Sequence, residues 1–225
     1  DRALILAGVS HDLRTPLARL RLGVEMSGAP DTDVSAMVSD IEEMDRISSQ
    51  FLEFGRGGPQ EPAQATDLAE LVRELAEPYR LRGIDIELDA PDCLVASVRA
   101  LSLRRAIANL IDNALRYAGE SLPLTLSVSV HGSDICIEVA DRGPGIPESE
   151  VERMRQPFTR LEEARSNAKG AGLGLAIVER VMRSHDGRLE LLPREGGGLR
   201  AILCVPASGS AAVRAKLQPS SGNPT

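Results

Sequence analysis

The sequence carries no surplus of positive charge, no hydrophobic run of membrane-spanning length and no closely spaced cysteines, and each absence removes a class of function. With 26 Lys and Arg against 33 Asp and Glu, the 225 residues sum to a net charge of -7 and an isoelectric point near 5.1. A nucleic-acid partner needs a basic face that displaces counterions from phosphates, so the balance argues against that partner and leaves a compact acidic domain with local basic spots. No stretch approaches the roughly 20 apolar residues that cross a bilayer, and no signal-peptide pattern opens the chain, so this portion is expected to make no direct membrane contact. It starts without Met and enters a helical pattern at once, which reads as a start inside a longer protein. Cys93, Cys136 and Cys204 are odd in number and far apart, without the short pairs of metal or redox motifs. Cys136 and Cys204 lie in apolar strand-like runs and read as core thiols in a reducing cytoplasm. A Walker A loop is missing as well, because no glycine-rich turn ends in Gly-Lys-Ser/Thr.

What is present suits two small domains with real cores, since 42% of residues are hydrophobic. Leu6, Val9, Leu13, Leu17, Leu20 and Val24 recur at spacings of three and four, which predicts one helix to about Ser27. Gly28, Ala29, Pro30 and Asp31 break it, with Asp31 or Thr32 available as the next N-cap. Val34, Met37, Ile41, Met44, Ile47, Phe51 and Phe54 then mark a second helix that ends at Gly55, Gly57, Gly58 and Pro59. Residues 1–56 therefore read as an antiparallel helical hairpin. Two helices bury too little to stand alone, a core of this size seldom yielding more than about 3 to 5 kcal/mol. Pairing two hairpins into a four-helix bundle solves the deficit, so a homodimer is predicted; packing of the hairpin on its own C-terminal domain is the alternative.

Residues 57–65 read as a linker, 66–206 as a second domain, and 207–225, rich in Ser, Gly and Pro, as a disordered tail. In the second domain Thr66 or Asp67 caps a helix to about Tyr79. Strands are predicted over 84–88, 94–98, 122–130, 135–140, 188–192 and 199–205, with helices over 100–117 and 173–184 and a short one near Glu148. The long polar stretch 156–172 suggests a functional loop. The fold class is α+β, with helices on one face of a mixed sheet. His131 in a hairpin turn and His185 near a helix end read as ordinary surface residues.

Four constellations carry chemistry. Ser10-His11-Asp12-Leu13-Arg14-Thr15-Pro16-Leu17 sets a His on the first helix, off the Leu13/Leu17/Leu20 stripe and so facing solvent. A neutral imidazole is a phosphoryl acceptor, and Asp12 can take or orient the proton on its other nitrogen. Thr15 projects one turn on from the same face, with a hydroxyl able to position a water, and Pro16 should bend the helix beside it. A lone His here would be a plain surface residue; Asp12, Thr15 and Pro16 tip the balance. Asn109 and Asn113, four apart on a helix, stack two carboxamide oxygens suited to Mg²⁺ between nucleotide phosphates. Arg116 and Tyr117 follow, a cation for phosphate and a ring for a base. Asp141-Arg142-Gly143-Pro144-Gly145 follows a strand, offering an acceptor for an adenine amino group and backbone able to approach a ligand. Gly170-Ala171-Gly172-Leu173-Gly174 opens a helix whose free N–H groups can bind phosphate.

These blocks, in this order, resemble the H, N, G1, F and G2 boxes of sensor histidine kinases, and Ser10 to Leu20 looks most like the EnvZ-type osmosensor subfamily. The resemblance covers about residues 4–205. It implies a dimerisation and phosphotransfer hairpin joined to a Bergerat-type α/β sandwich that binds ATP with Mg²⁺. It implies phosphorylation of His11 assisted by Asp12, a phosphatase role for Thr15, Mg²⁺ at Asn113 with Asn109, adenine recognition by Asp141, stacking by Tyr117 and phosphate contacts from Gly170, Gly172 and Gly174. The implied partner is a response regulator that receives the phosphoryl group on an Asp, and the implied location is the cytoplasmic portion of a bacterial inner-membrane protein. One block departs from the pattern: Met154-Arg155-Gln156-Pro157-Phe158 keeps a single aromatic, Phe158, where two are usual. Ala171 stands where Thr is frequent. Arg160, Arg165 and Lys169 are candidate phosphate contacts. The rivals are another ATPase of the same fold, with His11 incidental, and a non-catalytic scaffold that senses nucleotide.

Overall fold

The structure is a computed structural model that describes residues 17, 20–27, 31–55, 61–119, 123–159 and 172–207. Two compact units emerge, one from the spans Asp1–Gly58 and Pro147–Arg180, the other from Pro59–Ile146 and Val181–Thr225. Each is described by itself.

In the first unit, residues 17 and 20–25 are helical (α1), and α2 runs Asp31–Gly55. Arg21 on α1 pairs with Glu42 on α2 at 2.9 Å, a pairing across the break between them that an antiparallel hairpin produces. Such an exposed pair contributes about 0–1 kcal/mol, so it marks the geometry rather than holding it. Of the predicted apolar stripe on α2, Ile41 is buried, Val34 and Ile47 are half-buried, and Met37 and Met44 are exposed. The same unit contains a 3-10 turn Glu148–Glu150, helix α5 (Val151–Met154) and most of α6 (Gly174–Ser184).

The second unit is built on a five-stranded sheet. Its strands are β2 (Ile86–Asp89), β4 (Leu124–His131), β5 (Asp134–Ala140), β6 (Arg188–Pro193) and β7 (Leu199–Pro206), in the order β2-β4-β5-β7-β6. The β2/β4 pair is parallel and the others antiparallel, so the sheet is mixed as predicted. Alternation sets its two faces. Leu124, Leu126, Ile135, Ile137, Leu189 and Leu203 are buried against the side where α3 (Leu68–Leu81) and α4 (Ala100–Ala118) pack, whereas Thr125, Glu138, Glu190 and Arg200 lie on the other. On that polar face Arg200 binds Glu138 through two bonds of 2.7 Å. Helix α4 buries Leu103, Ala106, Ile107, Leu110, Ile111 and Ala114. At about 1.5–3 kcal/mol for each large side chain, this stripe fixes the rotation of α4 about its axis. Polar residues at its border are thereby fixed too.

Three expectations need correction. Residues 61–65 are not free linker: Gln64–Asp67 form a strand, β1, antiparallel to β3 (Val95–Val98). Glu61 accepts from the amides of Leu101 (2.9 Å) and Ser102 (3.2 Å), capping α4 where its N-cap, Arg99, provides no side-chain bond. His185 is buried, its Nε2 accepting from the Arg99 amide at 3.0 Å and its Nδ1 lying 2.8 Å from the Val181 carbonyl, so it is no surface residue. Finally, Cys136 and Cys204 are not free thiols. They occupy directly opposed register positions on β5 and β7, with Cα atoms 4.2 Å apart, and are joined as a disulfide. With that pairing, these two cysteines no longer argue for a reducing compartment.

Asp67 joins three segments. Its carboxylate accepts from the amides of Ala69 (3.0 Å), Glu70 (3.4 Å) and Leu94 (2.9 Å), capping α3 and tying it to the approach of β3. Burial pushes its pKa up, but bonds from the Leu94 amide, the Cys93 thiol and the two helix amides bring it below the ordinary value. Asp67→Ala is therefore expected to lower unfolding free energy in urea by about 2 kcal/mol, the size of a strong N-cap. Because the folded pKa is depressed, this contribution is present above pH of about 4 and lost as pH falls through the folded value. Asp67→Asn should show no such acid-dependent loss.

Candidate functional site

Rotation of α4 by its buried stripe leaves Asn109 and Asn113 half-buried at the border of the packed face, one turn apart. The amide nitrogen of Asn109 donates to the Arg105 carbonyl at 3.1 Å. Between them Asp112 accepts from the Tyr79 hydroxyl at 2.9 Å, locking α3 to α4; burial of the phenol, with the charge of Asp112, pushes the Tyr79 pKa well above its ordinary value. Arg116 is half-buried and Tyr117 exposed at the last turn. Gly119, at φ 87°, ends the helix with its amide bonded to Leu115.

Asp141 follows β5 and is 7% exposed, one of three polar side chains among the buried described residues. Its Oδ1 accepts from the Gly143 amide at 2.7 Å and the Leu199 amide at 3.3 Å. Burial pushes its pKa up, opposed by those two bonds and by the charge of Arg194. The glycines of this turn are required first by the protein's own packing. A Cβ on Gly143 would lie 3.0 Å from the Ala118 Cα, and one on Gly145, at φ 72°, would lie 2.9 Å from the Gly198 carbonyl oxygen. In this way the turn is seated both on the end of α4 and on the β6/β7 hairpin. Asn109, Asn113, Arg116, Tyr117, Asp141, Gly143 and Gly145 thus belong to one unit, with α4 and the Asp141 turn in direct contact.

In the other unit, Gly172 has φ 69°, and a Cβ there would come within 2.8 Å of the Thr159 carbonyl oxygen. Phe158, itself at φ 64°, donates its amide to the Gly172 carbonyl at 2.9 Å. Leu173 is fully buried and its carbonyl accepts from the Ile177 amide at the start of α6. Arg155 of the single-aromatic block lies between Glu152 and Glu179, at 3.8 and 3.9 Å. His11, Asp12, Thr15 and Pro16, and also Arg160, Arg165, Lys169, Gly170 and Ala171, lie outside the described residues.

Two residues of the site escaped the sequence reading. Arg194, which opens the β6/β7 turn, places Nη1 3.2 Å from the carbonyls of both Ala140 and Asp141. Gly198, at φ 111°, sits so close that a Cβ would lie 2.0 Å from the Asp141 carbonyl oxygen. The run Gly196-Gly197-Gly198 was the only signal, and it reads equally well as a hairpin turn.

Comparison with known proteins assigns both parts of the chain. Residues 98–209 match the family described as Histidine kinase-, DNA gyrase B-, and HSP90-like ATPase, and residues 1–60 match the His Kinase A (phospho-acceptor) domain. Sensor histidine kinase GtrS of Pseudomonas aeruginosa is 34% identical over 93% of this chain and 43% of its own length. Adaptive-response sensory kinase SasA of Prochlorococcus marinus is 30% identical over 90% of this chain and 56% of its own. The chain spans about half the length of these curated relatives. Among solved structures, full-length ShkA in complex with AMPPNP aligns with a TM-score of 0.71 at 25% identity, over 94% of this chain and 47% of that one. The histidine kinase domain of the E. coli osmosensor EnvZ aligns with a TM-score of 0.53 at 33% identity, over 69% of this chain and 95% of that domain. With a phospho-acceptor domain followed by an ATPase domain, and a solved kinase domain matched almost end to end, the chain belongs to the histidine kinase family.

Proposed function

We propose that this chain is the catalytic core of a sensor kinase that phosphorylates His11 from Mg-ATP, passes the phosphoryl group to an Asp of a response regulator, and dephosphorylates that regulator. The carrying observation is that residues 1–60 match a phospho-acceptor domain in which His11 is the only histidine, in a chain that also holds an ATPase domain. Domain limits are proposed at 1–56 for the hairpin and 66–206 for the ATP-binding domain, with 57–65 between them and its last two residues, Gln64 and Ala65, paired into β1 of the latter. The exposed Leu20, Met37 and Met44 on the hairpin support a homodimer that covers them in a four-helix bundle. The longer protein is proposed to be anchored in a bacterial inner membrane with this portion in the cytoplasm; among the described residues no helix is long and apolar enough to cross a membrane.

For nucleotide, the buried Asp141 carboxylate accepts from the adenine amino group and Tyr117 covers the ring. Arg116 and the backbone amides at Gly170, Gly172, Leu173 and Gly174 meet phosphates, and Gly143 and Gly145 shape the turn. Asn113 and Asn109 fit Mg²⁺: both offer neutral oxygens on one helix face, and the bond to Arg105 engages the Asn109 nitrogen, so its oxygen is the ligating atom. When bound, Mg²⁺ neutralises phosphate charge. One imidazole nitrogen of His11 then attacks the γ-phosphorus as the bond to the β-phosphate oxygen breaks, ADP leaving with the electron pair. Asp12 orients or receives the proton on the other nitrogen. Positioning and charge neutralisation supply most of the rate. In the reverse, hydrolytic direction, Thr15 positions water against the phosphorylated regulator.

Incubation of the 225-residue chain with γ-labelled ATP and Mg²⁺ tests this reading. Label that is acid-labile and alkali-stable, the signature of a phosphoramidate, is expected. Absence of label, or acid-stable label, would overturn it.

A further inference from the structure

Asp141 offers a useful acceptor only if its position is fixed, and its grip comes from the opposite hairpin. The Asp141 amide donates to the Leu199 carbonyl at 2.9 Å, and the Leu199 amide returns a bond to Oδ1 at 3.3 Å. Successive carbonyls of an extended strand point to opposite sides. A single nitrogen of Arg194 nevertheless lies 3.2 Å from both the Ala140 and Asp141 oxygens, so it grips the chain where β5 ends and the turn begins. Its second nitrogen donates to the Thr125 hydroxyl of β4 at 2.9 Å, and that hydroxyl donates onward to Glu87 of β2 at 3.3 Å. One guanidinium on the β6/β7 turn thereby fastens the ends of two other strands. The turn that carries it is closed by the Arg194 amide to Gly198 (3.1 Å) and the Gly197 amide to Arg194 (3.0 Å), and Arg142 ties back to the Glu195 carbonyl at 3.1 Å.

We propose that Arg194 is a positioning residue for base selection, holding the Asp141 backbone so that its carboxylate meets a 6-amino purine and not a 6-oxo purine. The inference rests on the proposed adenine role of Asp141. A planar fork spanning two carbonyls and a hydroxyl is a task for Arg, and Lys, a point charge, can remake part of it. Loosening a positioned acceptor weakens the ligand that needs it and leaves the one that does not.

The test measures ATP and GTP affinity of the full chain by displacement of a fluorescent ATP analogue, with autophosphorylation kinetics alongside. Arg194→Met should weaken ATP about tenfold and GTP by less than about twofold, raising KM for ATP while kcat at saturation holds. Arg194→Lys should fall between Arg194→Met and wild type. Arg188→Met removes a guanidinium from the same sheet, one paired with Glu190 and Asp134, and should change neither affinity. An unchanged ATP-to-GTP ratio in Arg194→Met overturns the inference; if that variant does not melt cooperatively, an unchanged ratio in Arg194→Lys does so. Failure of the underlying reading looks different: Asp141→Ala would then bind ATP like wild type.

Discussion

His11→Gln is expected to abolish incorporation of γ-label while leaving ATP affinity within about twofold of wild type. Gln keeps an amide N–H and a carbonyl acceptor near the positions of the ring nitrogens, but its nitrogen lone pair is delocalised and cannot attack phosphorus. Nucleotide binding is assigned to other residues, so the expected loss is one of chemistry alone. The two remaining histidines make the result decisive. His185 is buried with both nitrogens in hydrogen-bonding distance of backbone, which leaves no lone pair for a phosphoryl group. His131, at the end of β4, is exposed and could be labelled by a promiscuous kinase. Acid-labile label persisting in His11→Gln and vanishing in the double variant with His131 would move the acceptor and defeat the assignment.

Asp141→Asn is expected to cost ATP binding about 3 kcal/mol, on the order of 100-fold in affinity, with little change in melting temperature. The carboxylate uses Oδ1 for two backbone amides, Gly143 and Leu199. Asn has a single oxygen. If that oxygen stays with the two amides, its NH₂ replaces the acceptor proposed for adenine and sets donor against donor; the other flip leaves two buried amides without their acceptor. The fold tolerates the first arrangement, and the ligand does not. Acidity should reproduce the effect reversibly. Burial raises the Asp141 pKa above the ordinary 3.8, so the ionised side chain costs stability as pH rises through the raised value, whereas ATP binding needs that ionised form. ATP affinity, followed by displacement titration, should therefore fall as pH drops towards that value while the fold, if anything, gains.

Much of this was legible in the sequence where one periodic signal dominated. Helix α4 reads from the sequence as 100–117 and runs Ala100–Ala118, because its buried apolar stripe is continuous along that length. The β4/β5 hairpin, with its turn at 131–134, followed from alternation in the same way. What failed depended on partners remote in sequence. Strand β1 has the sequence Gln-Ala-Thr-Asp, with no apolar alternation, and exists because Val95–Val98 pairs with it. His185 reads as a polar residue at a helix end until Arg99, 86 positions away, is seen to donate to it. Arg194 shows the same limit inside the site. Nothing near it in sequence announces that its guanidinium ends on the backbone of Asp141, 53 residues earlier.

The Cys136–Cys204 link has a last consequence, one of topology. Everything from β5 through α6 to β7 is a covalent ring of chain, 68 residues around, that includes the segment 160–171. A single cut anywhere along that ring leaves one molecule, its halves still tethered at the middle of the sheet until a reductant parts them. An uncut chain that unfolds can never straighten past the tether, and this shrinks the disorder it gains by melting.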